Sequence, residues 1–73
     1  MPAVQITYCV RWGYEARAVS LAESIEREIG ADTELVRGDN GIFDVEVGSR
    51  RIFSKHDAGR FPEHEEIFAA LGG

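Results

Sequence analysis

The period of the apolar residues changes along the chain, and each change predicts an element of secondary structure. Over residues 4–9, apolar and polar side chains alternate, which is the period of a half-buried strand. Over residues 14 to about 29, apolar residues recur at steps of three and four, which predicts a helix with one apolar stripe. Gly30 follows that stripe, at the position where a left-handed residue commonly ends a helix.

The second half of the chain is typical of three strands and a short closing helix. Residues 33–37 predict a second strand, and a strand–helix–strand crossover places its two strands parallel. Residues 42–47 and 50–55 flank the pair Gly48-Ser49 and predict a hairpin. Residues 56–62 are interpreted as a loop, and residues 63–71 as the final helix.

The order β-α-β-β-β-α predicts one domain over residues 1–73, of mixed α/β (α+β) class. Four strands of this order close into a mixed sheet that the helices cover. This arrangement is the minimal thioredoxin-like core. A chain of 73 residues buries only about 60% of its unfolded surface, so dimerisation would help to stabilise it.

Composition and charge narrow the classes of function. The net charge of −5 argues against nucleic acid as a partner, because phosphate binding needs a basic surface. It also disfavours binding to anionic membranes, and no apolar run approaches the length of a membrane span. With no signal-peptide pattern, the sequence predicts a cytoplasmic protein, whose lone thiol stays reduced unless oxidation is its role.

The single cysteine, Cys9, is the main candidate for chemistry. It ends the first predicted strand and precedes a glycine turn and a helix, which is how thioredoxin-like proteins hold a reactive thiol. Helix amides and Arg11 would favour its thiolate, and one thiol still forms mixed disulfides with glutathione or a protein thiol. The alternative is an inert small hydrophobic residue at the end of a strand.

Other side chains admit two interpretations each. Trp12 is either an exposed contact anchor or a lid folded over the sheet edge. Arg60 would pair with a helix carboxylate or with a ligand anion. His56 and His64 lack metal-ligand spacing and are interpreted as surface residues, so no metal site is predicted.

Three segments carry a resemblance to a known family. YCVRWGYEARA at residues 8–18 resembles the N-terminal motif of the selenoprotein W-like proteins, the Rdx family within the SelT/SelW/SelH group. FSKHDAGRFP at residues 53–62 resembles a second block of that family, and GIFDV at residues 41–45 matches the hairpin between them. The resemblance spans nearly the whole chain and implies a thioredoxin-like fold.

The resemblance also implies a redox role through a Cys-x-x-Cys or Cys-x-x-selenocysteine pair. Cys9 matches the first member of that pair, whereas Trp12 occupies the second. We therefore expect a redox-linked protein that acts through one thiol, at most a degenerate thiol oxidoreductase, with glutathione or a protein thiol as its partner. The alternative is a non-enzymatic module that binds a protein, or a second copy of this chain, through Trp12 and an exposed sheet edge.

Overall fold

Four strands and three helices make up the computed structural model, which describes residues 3–72 and leaves Met1, Pro2 and Gly73 outside the description. In chain order they are β1 (Val4–Cys9), α1 (Glu15–Glu28), β2 (Thr33–Gly38), β3 (Phe43–Val47), β4 (Arg50–Ser54), α2 (Lys55–Ala58) and α3 (His64–Ala70). The predicted elements are all present, with bounds that agree to within one or two residues. The additional element is α2, which lies where a loop was predicted.

The four strands form one mixed sheet in the order β2-β1-β3-β4. Strand β1 pairs in parallel with β2 and antiparallel with β3, and β3 and β4 form the antiparallel hairpin. This confirms the predicted four-stranded mixed sheet and the parallel crossover through α1. Because β1 and β3 are central, the residues that follow β1 lie at one end of the sheet, beside the start of β3.

The core lies between the sheet and helices α1 and α3. The apolar stripe of α1 packs onto alternate residues of the two central strands, and α3 adds one fully buried side chain, Ile67. The other buried members of this core are Val4, Ile6, Tyr8, Ala18, Leu21, Ala22, Ile25, Phe43 and Val45. The periodicity of the sequence therefore correctly predicted which faces of β1 and α1 are buried.

Strand β4 and helix α2 depart from the predicted regular hairpin and loop. Val45 pairs with Phe53 but Glu46 pairs with Arg51, so one residue of β4 is extra and forms a bulge. Helix α2 then ends at Gly59, whose φ of +74° is a left-handed angle that glycine adopts without strain.

Helix α2 packs against β3 and β4, and Asp44 of β3 is buried, with 7% of its surface exposed. Arg51 lies 3.5 Å from the carboxylate of Asp44 and 3.5 Å from that of Asp57 in α2. The guanidinium of Arg51 therefore links the sheet to α2. Asp44 is therefore a buried carboxylate with a charged partner, although it lies on the face of β3 opposite Phe43 and Val45.

Candidate functional site

The thiol of Cys9 lies at the end of β1, under the loop that leads into α1. Its backbone N–H donates to the carbonyl of Ile42 at 2.8 Å, and its carbonyl accepts from the N–H of Tyr14 at 3.2 Å. The N–H of Trp12 donates to Cys9 Sγ at 3.4 Å. The chain thus turns around the sulfur, and a backbone donor points at it, which is a favourable contact for a thiolate.

Burial is the property of Cys9 that most limits its chemistry. The residue has 0% of its surface exposed, whereas the covering loop, residues 10–13, is exposed throughout. Because the backbone N–H of Trp12 in this loop lies 3.4 Å from the sulfur, a movement of the loop is the most direct way to expose it. Few backbone bonds hold the loop: Val10 N–H donates to Gly38 at 3.3 Å, and Gly13 N–H donates to Val10 at 3.1 Å. The reactive role of Cys9 stays a prediction.

Trp12 has features of both predicted roles, an exposed contact anchor and a lid over the sheet edge. Its side chain is 59% exposed, so a large aromatic surface is available for contact. One face of its ring nevertheless rests on Gly41, because a Cβ built there would come within 2.6 Å of Trp12 Cζ3. Its ring also meets that of Tyr14 edge to face, with centroids 6.1 Å apart. The indole therefore fastens the loop to the turn before β3.

We expect Gly41→Ala to destabilise the protein and to displace the Trp12 ring. Gly41 has a φ of +73°, so a side chain costs about 1–2 kcal/mol in backbone strain alone, and the methyl group would also collide with the indole. The matched control is Gly30→Ala, where φ is +77° but no atom lies within 4 Å of the added Cβ. Urea unfolding with tryptophan fluorescence should show a larger loss, and a shifted native emission, for Gly41→Ala only. Equal losses and unchanged emission would contradict this packing.

An aromatic cluster lies on the helix side of the loop. The ring of Phe61 meets that of Tyr14 at 4.8 Å and that of Phe43 at 5.3 Å, both edge to face. The guanidinium of Arg17 lies 4.1 Å above Phe61, and the ammonium of Lys55 lies 5.4 Å from the same ring. Phe61, which Arg17 contacts, lies 44 positions later in the sequence, so this contact joins α1 to the segment before α3.

Among residues 3–72, the hydrogen bond to the Cys9 thiol comes from Trp12 and not from Arg11 or Arg60. Arg11 is exposed in the covering loop. Arg60 forms a two-pronged pair with the carboxylate of Glu66, at 2.6 Å and 3.1 Å, and its guanidinium lies 5.5 Å from the ring of Phe53. Arg60 therefore pairs with a helix carboxylate in the structure, which is the first of its two interpretations.

We expect the Arg60 pair to make stability depend on pH in the acid range. The hydrogen bonds from Arg60 and from the backbone N–H of Glu63 lower the pKa of Glu66 to about 2. Because the folded pKa lies below the unfolded value, this contribution is present above the unfolded pKa and is lost as pH falls towards 2. A carboxyl-detected NMR titration checks it: Arg60→Ala should return Glu66 to its ordinary range, whereas Arg27→Ala should not. An ordinary Glu66 pKa in the wild type would contradict the pair.

Comparison with known proteins identifies the family of the chain. A model of the Rdx family matches residues 3–72, which include the loop around Cys9, the hairpin and the aromatic segment before α3. The chain belongs to the Rdx family. The resemblance drawn from the three sequence segments is thereby confirmed.

Curated relatives of this Rdx-family chain include the mouse and bovine proteins named migration and invasion enhancer 1. The mouse protein is 30% identical over 69 residues and the bovine protein is 29% identical over 69 residues, in each case 93% of this chain. The chain spans 60% of the length of each of these relatives.

Solved structures share the fold. A protein from Bordetella parapertussis superposes with a TM-score of 0.91 at 25% identity, covering 96% of this chain and 92% of that one. A selenoprotein W-related protein from Vibrio cholerae superposes with a TM-score of 0.82 at 19% identity, covering 94% and 90% of the two chains. The thioredoxin-like fold predicted for the sequence is confirmed.

Two further observations concern metals and membranes. Residues 3–72 contain no group of three or more His, Cys, Asp or Glu side chains that could hold a metal ion. Within the same part of the chain, no helix is long and apolar enough to cross a membrane.

Proposed function

We propose that this Rdx-family chain is a redox-linked protein that acts through the single thiol of Cys9, forming mixed disulfides with glutathione or a protein thiol. The observation that carries the proposal is the N–H of Trp12, which is directed at Cys9 Sγ from 3.4 Å in the loop that matches the family motif. Membership of the family supports a redox-related role, and the presence of one cysteine restricts that role to exchange with a second molecule.

The proposed step is thiol–disulfide exchange with a disulfide of glutathione or of a protein. Cys9 loses its proton to solvent, and the thiolate attacks one sulfur of the partner disulfide. The new bond joins Cys9 Sγ to that sulfur, and the old disulfide breaks, releasing the other sulfur as a thiolate that takes up a proton. Cys9 is oxidised and the departing sulfur is reduced, so no further oxidant is needed. A thiol from solution reverses the step.

The covering loop controls this exchange in the proposal. Because Cys9 is fully buried, the loop over residues 10–13 opens before the sulfur meets a disulfide. The Trp12 ring opposes opening through its contacts with Gly41 and with the ring of Tyr14. A reducing compartment such as the cytoplasm would keep Cys9 available as a thiol between exchange events.

Oxidised glutathione provides the direct test. We expect the reduced protein to gain one glutathionyl group when it is incubated with oxidised glutathione, as read by intact mass, and to lose it on addition of dithiothreitol. Cys9→Ser is the control for non-covalent association and should gain nothing. A wild-type protein that remains folded and unmodified after long incubation would contradict the proposal.

Exposed apolar residues favour a second candidate function, a non-enzymatic protein-binding module. Trp12 is 59% exposed and Val10, in the same loop, is 39% exposed, while Leu35 on edge strand β2 is 38% exposed. Such surfaces suit a protein partner or a second copy of this chain. Sedimentation velocity tests the second-copy form: a dimer lost in Trp12→Ala or Leu35→Lys but kept in Cys9→Ser supports it, and a monomeric wild type at high concentration contradicts it.

A further inference from the structure

A cleft of about 220 Å³ opens between α1 and the segment that leads into α3. Its apolar lining includes Leu21 from the helix, Phe43 from the start of β3, and the neighbouring pair Phe61 and Pro62. Leu21 and Phe43 are core residues, each 1% exposed, so the floor of the cleft is the rigid core itself. The volume accommodates one group about the size of an aromatic side chain, which is less than the pockets that hold drug-sized molecules.

Three polar side chains line the same cleft: Arg17, Ser20 and His64. Arg17 and Ser20 are three residues apart on α1 and therefore lie on one face of the helix. The guanidinium carbon of Arg17 lies 4.1 Å from the centroid of the Phe61 ring, which places its charge beside the apolar lining. Among residues 3–72 it forms no ion pair, unlike Arg27, which binds the neighbouring Glu28.

We propose that this cleft binds a small free carboxylic acid that carries one apolar group, such as an arylalkanoate. The ring or branched alkyl group would lie against Phe61 and Pro62, above the floor formed by Phe43 and Leu21. The carboxylate would accept two parallel hydrogen bonds from the planar fork of Arg17, a geometry that suits this anion. The hydroxyl of Ser20 and the imidazole of His64 supply further donors at the rim.

Charge and size distinguish this ligand from other anions. The cleft offers one permanent positive charge, in a chain whose net charge is −5, so a monoanion is matched and a phosphate dianion is not. The volume suits one ring with a short acid chain, but not a run of peptide. A free acid is therefore the occupant that the lining residues fit best.

The cleft and the thiol lie at the same end of the sheet but on opposite sides of it. Phe43, on the cleft floor, pairs with Tyr8, and successive residues of a strand point to opposite faces, so Cys9 points away from the cleft. Tyr14 connects the two regions, because its N–H binds the Cys9 carbonyl while its ring meets Phe61. Binding in the cleft needs no chemistry at Cys9, so its test is independent of the proposed redox role.

An NMR titration with 3-phenylpropionate tests the proposal on the intact chain. We expect amide shifts concentrated at residues 16–21 and 61–64, with a Kd of about 1 mM for a ligand of this size. Arg17→Met keeps an apolar stem over Phe61 but removes the charge, and should weaken binding about tenfold. The matched control is Arg27→Met, on the same helix outside the cleft, which should bind as the wild type does.

Two comparison ligands decide between charge recognition and other causes of the shifts. The neutral analogue 3-phenylpropanamide should bind at least about tenfold more weakly than the acid, since it cannot accept two charge-assisted bonds from Arg17. Equal binding of the amide, or equal binding by Arg17→Met, would overturn the proposal, as would the absence of shifts in the cleft. Binding of N-acetyl-phenylalanine but not of 3-phenylpropionate would also overturn it, in favour of the terminal residue of a polypeptide.

Discussion

Phe43→Ala is expected to destabilise the protein by about 3–5 kcal/mol, because it removes a fully buried ring and leaves a cavity. Phe43 is 1% exposed and is the largest of the fully buried side chains. Its ring meets those of Tyr14 and Phe61 edge to face, at 6.4 Å and 5.3 Å. In a domain this small, such a loss is comparable with the whole stability expected, so the variant should be largely unfolded at 37 °C.

Urea unfolding followed by circular dichroism measures this loss, and Phe43→Leu is the matched control. Leucine fills part of the space and should cost clearly less than alanine. A fall of less than about 1 kcal/mol for Phe43→Ala would contradict the central position assigned to this ring. Phe43 lies both on the cleft floor and at the start of β3, so Phe43→Leu also shows whether this position tolerates a smaller side chain.

Trp12→Ala is expected to speed the alkylation of Cys9 by about tenfold, because it removes the side chain that fastens the covering loop. An edge-to-face aromatic pair is worth about 0.5–1.5 kcal/mol, and the indole also covers Gly41. A loss of about 1.4 kcal/mol from the closed loop raises the population of the open loop tenfold. Global stability should change less than in Phe43→Ala, since Trp12 is 59% exposed.

Iodoacetamide with intact-mass detection measures this rate in the folded protein. Trp12→Phe is the control, because it keeps an aromatic ring in the loop but lacks the outer indole atoms that rest on Gly41, and it should restore part of the protection. Val10→Ala changes another exposed side chain of the same loop and should leave the rate nearly unchanged. Equal rates in Trp12→Ala and the wild type would show that the indole does not hold the loop closed.

Local periodicity was enough to predict the sheet and the two longer helices. Alternation placed the correct residues of β1 inside, and the stripe on α1 included four of its buried residues, Ala18, Leu21, Ala22 and Ile25. The parallel pairing of β1 with β2 followed from the strand–helix–strand order, because a helix that crosses over the sheet returns the chain to the end where the first strand began. These elements were predictable because each one carries its signal within its own segment.

The site was less predictable because its contacts join distant segments. The position of Cys9 in the sequence indicated chemistry, but its burial depends on how the next four residues fold back. Likewise, the contact of Arg17 with the Phe61 ring arises only when α1 and the segment before α3 are brought together. Helix α2 was missed since a four-residue helix is too short to show an apolar period.

The alkylation rate of Cys9 across low urea concentrations tests the central claim most directly, that a local opening of the loop exposes the thiol. A local opening uncovers little surface, so the account predicts a rate that hardly changes with urea until global unfolding begins. A rate that rises from the lowest concentration with the full slope of global unfolding would contradict it. In that case Cys9 reacts only in the unfolded chain, and it is a structural residue of the fold.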